Sequence, residues 1–290
     1  MKAADLIKAG KVDEGLLKLQ DEVRANPADA KLRVFLFQLL SVMGQWERAL
    51  TQLDVSAQMD PVNLLMAQVC RQAIMCEMFR AEVFAGQRAP LVFGEPEQWV
   101  ALMIQANMLE AQGKASEARP LRDQALELAP AVPGTITLGT NETGQGGDAK
   151  GQGKQVAFGW IADADERMGP IAEGIIEGKY YWIPWQRIKA LVLEAPADLR
   201  DAVWLPATFI WTTGASSVGL MPARYPGSES SPDGLIRLGR KTEWVPGPGG
   251  TERVVGQRLF ATDEGEFAML DCRNIQLGDG QAGDPSSSEK

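Results

Sequence analysis

The sequence of 290 residues contains no histidine, and this absence excludes several classes of enzyme and metal site. Ser-His-Asp and Cys-His systems use an imidazole as the general base, and histidine is the side chain that most often transfers protons near neutral pH. Zinc sites with histidine ligands are excluded on the same ground. Any catalysis would have to use carboxylates, lysine, tyrosine or serine.

Cysteine is scarce. The chain has three cysteines, Cys70, Cys76 and Cys272. Their number is odd and none lies in a Cys-x-x-Cys pair, so the sequence indicates neither a disulfide framework nor a thiolate zinc site. Small buried thiols in a reducing compartment are the expected state. No cofactor and no metal is expected.

Long apolar runs are missing as well. The N-terminal sequence MKAADLIKAGK carries a charge every few positions, unlike a secretory signal peptide. The most apolar stretch of the helical half, residues 34–46, is too short and too interrupted for a membrane span. We therefore expect a cytoplasmic protein.

Positive charge is in deficit, with 29 Lys and Arg against 38 Asp and Glu and a net charge of -9. Such a field repels the phosphates of nucleic acids and anionic lipids, so neither nucleic acid nor a membrane surface is an expected partner. Basic or apolar protein segments are better candidates. The apolar share of 45% is typical of a soluble globular protein, and the length suits two domains.

Residues 1–132 have the periodicity of paired helices, with apolar side chains recurring every three or four positions. Equivalent residues are separated by 34 positions, the tetratricopeptide period: Gly10 and Gly44, Leu16 and Leu50, Leu19 and Leu53, and Pro27 and Pro61. A third copy lies 69 positions further on and aligns Gly44 with Gly113. The pattern predicts a TPR-like helical domain with one free concave surface, and an irregular bundle with accidental periodicity is the alternative. Helix ends are predicted at Gly10, Gly44, Gly86 and Gly113.

Between the two halves the composition changes. Residues 133–155 are rich in Gly, Thr, Asn and Gln and include GQGGDAKGQGK, which predicts a flexible linker or an exposed loop. The run lacks the Gly-Lys-Ser/Thr ending of a nucleotide-binding loop. Residues 277–290 predict a disordered tail.

Residues 156–276 predict a mainly antiparallel β domain with short helices, which places the chain in the α+β class. The clearest unit is a hairpin, in which the runs 171–176 and 180–185 flank a turn at Gly178. Further strands are predicted at 189–194, 203–211, 217–221, 242–245, 254–261 and 266–272. Most of the large aromatic side chains are expected in the core, with one or two exposed: Trp160, Trp182, Trp185, Trp204 and Trp211.

Asp163, Asp165 and Glu166 form the most chemistry-like cluster, since neighbouring carboxylates can ligate a hard cation. The run lacks the further Asp or Asn, the spaced Glu and the Gly of a calcium loop, and Arg167 beside it indicates internal charge pairing. A structural or partner-facing role is therefore favoured over metal binding. Asp163 and Glu173 could be paired as in a glycosidase, but no glycan-binding frame accompanies them.

The C-terminal half carries several motifs in a fixed order after the helical half. They are WIADADERMGP from 160, GLMPARYPGSE from 219, LGRKTEW from 238 and GQRLFATDEGEFAMLDCR from 256. In this combination the chain resembles the ImpE family, also called SciE or TagJ, whose members are accessory proteins of bacterial type VI secretion.

The resemblance implies a non-enzymatic adaptor without a cofactor. Its expected partner is the small subunit of the contractile sheath, with a functional link to ClpV, the AAA+ ATPase that recycles contracted sheath. The expected partner-binding residues of the β domain are Trp160, Asp163, Asp165 and Arg167, on the resemblance and because they cluster in one turn.

Helical-repeat grooves commonly receive an amphipathic helix, so a helix of the sheath subunit is the expected ligand. Two alternatives from other classes remain open at this point. One is a hydrolase that uses the carboxylates of Asp163, Asp165 and Glu166. The other is a structural subunit that self-associates through the edges of its β-strands.

Overall fold

The computed structural model describes residues 2–139, 153–247 and 250–278, and this part of the chain contains eight α-helices and fourteen β-strands. The first seven helices precede nearly all of the sheet, which confirms the α+β class. The helices are α1 (Ala3–Lys8), α2 (Val12–Ala25), α3 (Ala30–Val42), α4 (Trp46–Met59), α5 (Leu64–Phe84), α6 (Gln98–Ala111), α7 (Ala115–Leu128) and α8 (Gly234–Arg237).

Glycine ends four of the helices, as predicted. Each of these glycines has a positive φ, between +65° and +79°, which a residue with a side chain rarely adopts. The amide that follows reaches back five positions, as in the 2.9 Å bond from Gln45 N–H to the Leu40 carbonyl, which is the Schellman ending. The confirmed helix ends are Gly10, Gly44, Gly86 and Gly113. The tetratricopeptide character of the helix pairs stays a prediction.

The strands form one large sheet and two small ones. The large sheet has the order β1-β6-β5-β9-β8-β7-β14-β2-β3, and the small ones are β13-β12-β4 and β10-β11. Among the described pairs, β1 and β6 are parallel and the others antiparallel. The strands are β1 (Leu91–Val92), β2 (Gly134–Leu138), β3 (Gln155–Phe158), β4 (Ile161–Asp163), β5 (Ile171–Ile176), β6 (Lys179–Pro184), β7 (Ile188–Leu193), β8 (Trp204–Trp211), β9 (Ser216–Pro222), β10 (Thr242–Pro246), β11 (Glu252–Gly256), β12 (Leu259–Thr262), β13 (Gly265–Ala268) and β14 (Cys272–Leu277).

The predicted hairpin at Gly178 is confirmed as β5 and β6. Its two turn residues, Glu177 and Gly178, both have positive φ, 51° and 72°, as a two-residue turn between right-twisted strands requires. The single strands predicted at 254–261 and 266–272 are wrong, because each range is divided between two strands. The first divides at Gly256, where a Cβ would lie 1.8 Å from the Lys241 carbonyl oxygen. The second is interrupted by a short 3-10 turn.

The predicted linker is wrong at its beginning. Gly134–Leu138 forms β2, which pairs with β14 on one side and β3 on the other. Its central residue Ile136 is fully buried. It is also wrong at its last residue, because Gln155 belongs to β3 and pairs with Thr137. Residues 140–152 of the predicted linker lie outside the described residues, as do residues 279–290 of the predicted tail, whereas Leu277 belongs to β14.

The helices and the sheet share a hydrophobic core, which includes Phe37 of α3, Ile74 of α5, Tyr180 of β6 and Trp204 of β8. A second cluster, which includes Phe209, packs on the other face of the sheet. Because side chains alternate along a strand, neighbouring residues of β8 contribute to both clusters. The helical half therefore covers one face of the large sheet.

The aromatic side chains behave as predicted. Trp182, Trp185, Trp204 and Trp211 are buried, and Trp160 is exposed. The three cysteines are free and buried, as expected. None of the described helices is long and apolar enough to cross a membrane.

Candidate functional site

An open apolar groove lies where α5 meets the interior strands β5, β8 and β9 of the large sheet, and we call it the α5 groove. Its volume is about 640 Å³. Val62 and Leu65 form one rim, with 85% and 73% of their surface exposed, and Val218 of β9 forms the other with 77%. The remaining apolar lining lies deeper between them: Met66, Val69, Cys70, Ile175, Trp204, Pro206 and Leu220.

The sequence of α5 explains why apolar side chains remain at the surface. Asp60 caps the short turn before the helix by accepting a 3.0 Å bond from Val62 N–H. Ile74 packs into the shared core, whereas Leu65 and Val69, four positions apart, form a stripe that faces solvent. The helix is thus apolar on more than its buried face. Contiguous exposed apolar surface of this kind marks interaction sites.

The groove continues past the turn at Gly178. There a second cavity of about 290 Å³ is lined by Met75, Phe79 and Leu91 among others. From Leu65 to Phe79 the helix rises about 21 Å, the length of a four-turn helix laid alongside it. Met75 is exposed, and methionine adapts its shape to a partner more readily than branched side chains do.

Three charged residues line the α5 groove: Glu177, Arg200 and Asp201. Asp201 is held by the backbone amides of Ala197 and Asp198 at 2.7 and 3.0 Å. Arg200 forms an ion pair with Asp198 at 3.1 Å. Burial raises the pKa of the Cys70 thiol to about 11, so this thiol stays protonated and weakly nucleophilic. The groove is therefore equipped for binding apolar side chains.

A buried hydrogen-bonded network begins at the floor of the groove. Trp204 donates its indole N–H to Glu77 at 3.1 Å, and Glu77 pairs with Arg80 at 3.3 Å. Arg80 then binds Glu173 of β5 through two of its nitrogens, at 2.6 and 2.8 Å. These contacts tie α5 to two strands of the sheet.

The same network extends to the predicted acidic cluster. Arg258 forms buried ion pairs with both Glu173 and Asp163. The Tyr180 hydroxyl also donates to Glu173. Burial raises the pKa of Glu173, but Arg80 and Arg258 outweigh burial and lower it to about 2. Asp163 and Glu173, the two carboxylates considered for a glycosidase, are thus bound together by one internal arginine.

The predicted partner-binding residues divide into two groups. Trp160 lies at the surface with 41% of its area exposed, but Asp163, Asp165 and Arg167 are buried. Arg167 binds Asp165 at 2.6 and 2.9 Å, and its carbonyl accepts a 2.7 Å bond from Asn107 of α6. The prediction of direct partner contact is therefore at odds with the burial of these three residues. Their side chains instead brace the turn from within. For Trp160, direct partner contact stays a prediction.

The α5 groove was not predicted from the sequence. Helical periodicity predicts paired helices in this half of the chain, but it does not tell which apolar face of α5 packs on the sheet. The sequence did carry one signal of the groove: α5 contains more apolar residues than a single buried helix face needs. Over the described residues, no group of three or more Cys, Asp and Glu side chains is placed to hold a metal ion.

The comparisons with known proteins agree with this architecture. The model of the ImpE protein family matches residues 155–276. Over 277 residues the chain is 46% identical to the type VI secretion system accessory component TagJ of Pseudomonas aeruginosa, which covers 96% of this chain and 91% of that protein. The crystal structure of protein VPA1032 from Vibrio parahaemolyticus superposes with a TM-score of 0.80 and 24% identity, over 97% of this chain and 98% of that one. The last comparison supports the fold alone.

Proposed function

The chain belongs to the ImpE family of type VI secretion accessory proteins, and from this premise we propose that it is a non-enzymatic, cytoplasmic adaptor that binds the small subunit of the contractile sheath. The observation that carries the proposal is the α5 groove, whose rims are the apolar side chains of Val62, Leu65 and Val218. The ligand is an amphipathic helix of the sheath subunit.

The shape of the groove favours a helix over an extended strand. A helix about four turns long fits along α5, with its apolar residues at i, i+3, i+4 and i+7 directed into the two cavities. Its backbone hydrogen bonds are satisfied internally, so it needs no strand edge from the adaptor. The groove contacts its ligand through side chains and not through backbone hydrogen bonds, and a helix binds in this way.

Apolar burial supplies most of the affinity in this account. Each anchor side chain that becomes fully buried contributes about 1.5 to 3 kcal/mol, whereas an exposed ion pair at the rim contributes about 1 kcal/mol or less. Glu177, which is exposed at the turn between the two cavities, favours a Lys or Arg at the edge of the bound helix. We propose further that the adaptor links the bound subunit to ClpV during sheath recycling.

Co-purification tests the proposed partner. Affinity-tagged chain is isolated from native cytoplasm, and the proteins that accompany it are identified by mass spectrometry. The adaptor proposal expects the small sheath subunit to accompany the native chain, and to be lost from a Leu65→Asp variant whose melting temperature is unchanged. Recovery of the tagged chain with copies of itself alone would instead support the self-associating structural subunit.

A further inference from the structure

A second concave surface surrounds Trp160, and we call it the Trp160 groove. Its volume is about 400 Å³, and it shares no lining residue with the α5 groove. The exposed side chains of Trp160 and of Leu126 near the end of α7 form its apolar walls. Pro130 and Pro170 also line it. This surface is therefore a separate candidate for recognition.

The turn at 163–169 presents one charge to this groove. Asp163, Asp165 and Arg167 are buried, whereas Glu166 between them is exposed. Asp163 accepts a 2.8 Å bond from Asp165 N–H, and Asp165 accepts a 3.0 Å bond from Arg167 N–H. Because these internal bonds fix the turn, the Glu166 backbone holds one position at the rim.

A row of residues across the small sheet gives the groove its floor and a second charge. Ala162 of β4 is opposite Ala261 of β12, and Ala261 is opposite Glu266 of β13. Residues opposite each other in antiparallel strands project from the same face. The two alanines leave space next to Trp160, and Glu266 places an exposed carboxylate at the end of the row.

The ionisable side chains that line the Trp160 groove are all carboxylates. Asp163 is neutralised by Arg258, but across the described residues neither Glu166 nor Glu266 forms an ion pair. We propose that the Trp160 groove binds an extended basic segment of a partner protein, with an arginine or lysine side chain over the indole of Trp160 and between these two glutamates. This site goes beyond the proposed function, which uses the α5 groove and an amphipathic helix.

Two physical terms favour this occupant. A cation over the face of an indole is attracted by the negative face of the ring, and the attraction grows when the cation is partly desolvated. The two carboxylates at the rim attract a cationic side chain electrostatically, and an acidic or neutral segment does not gain this attraction. The apolar walls contact the aliphatic stem of the same side chain.

The test uses a probe that cannot enter the α5 groove as a helix. A fluorescently labelled peptide of three Ala-Pro-Arg repeats stays extended because proline prevents helix formation. It is titrated against the full chain, beside a matched peptide in which glutamine replaces arginine. The expected result is saturable binding of the arginine peptide at about 1 mM or tighter, and binding at least about fivefold weaker for the glutamine peptide.

Three variants assign the site. Trp160→Ala and the double variant Glu166→Gln with Glu266→Gln should each weaken the arginine peptide at least about fivefold. The charge-matched control is Glu47→Gln with Glu117→Gln, two exposed glutamates outside the groove, and Leu65→Asp in the α5 groove serves as the control for the proposed function. Both controls should bind the peptide as the parent does. Absence of saturable binding, or equal binding by Trp160→Ala or by the glutamine peptide, overturns the proposal without bearing on the sheath subunit.

Discussion

Arg80 of α5 and Glu173 of β5, which are 93 positions apart in the sequence, form a two-pronged ion pair with nitrogen–oxygen distances of 2.6 and 2.8 Å. Both side chains are almost entirely buried. Glu173 also binds Arg258, and Arg80 also binds Glu77. The helical half and the sheet are thus joined by charges that depend on one another, so removal of one leaves others uncompensated.

Replacement of Glu173 by glutamine should strongly destabilise the fold. The substitution preserves shape but removes the carboxylate that Arg80 and Arg258 share, which leaves two buried guanidinium groups with only Glu77 and Asp163 as acidic partners. We expect a loss of about 3 to 5 kcal/mol in the free energy of unfolding, measured by urea denaturation. Glu177→Gln, four positions away and exposed, is the matched control and should change stability by no more than about 0.5 kcal/mol. Equal effects of the two substitutions would contradict the bracing role.

The stability contributed by Glu173 should depend on pH in a defined direction. Although burial alone would raise the pKa of this carboxyl, Arg80 and Arg258 lower it from 4.5 to about 2. A depressed pKa in the folded state gives stability that is present above pH 4.5 and is lost as the pH falls towards 2. The stability difference between the parent and Glu173→Gln should therefore narrow over that interval in denaturation curves. A difference that stays constant or widens on acidification would refute this assignment.

Asp165 and Arg167 should show strong energetic coupling. Asp165→Ala leaves the Arg167 guanidinium buried and unpaired, and Arg167→Ala does the same to the Asp165 carboxylate. The double variant removes both charges, so its loss of stability should be smaller than the sum of the single losses by more than about 0.5 kcal/mol. The exposed pair Arg24 and Asp21 is the control, with coupling of about 0.5 kcal/mol or less. Additive losses at the buried pair would show that it does not brace the turn.

Local chemistry in the sequence was enough to predict the helix ends and the central hairpin. Gly44 and Gly178 need positive φ at these positions, and a glycine followed by a change of periodicity carries that information. The strand Gly134–Leu138 could not be recognised in the same way. Its partners in β14 lie more than a hundred positions away, and a glycine-rich run follows it directly.

The candidate site was less predictable than the fold. Trp160 stood out by its size, and its exposure agrees with the expectation that one or two of the tryptophans lie at the surface. The charges beside it were predicted as a partner surface, but burial decides whether a carboxylate next to an arginine faces a partner or its neighbour. The groove at Leu65 depends on which side of α5 packs against the sheet, and that is a tertiary property.

The central claim is that a helix of the small sheath subunit binds in the α5 groove, and calorimetric titration tests it most directly. Purified small sheath subunit is titrated into the parent chain, into the double variant Leu65→Asp with Val218→Asp, and into Leu17→Asp, which alters an exposed leucine on α2. Each aspartate removes apolar contact at a rim, so the double variant should bind at least about 100-fold more weakly. Leu17→Asp should bind as the parent does. Binding by the double variant within about twofold of the parent, which is a difference of less than 0.5 kcal/mol, would contradict the account.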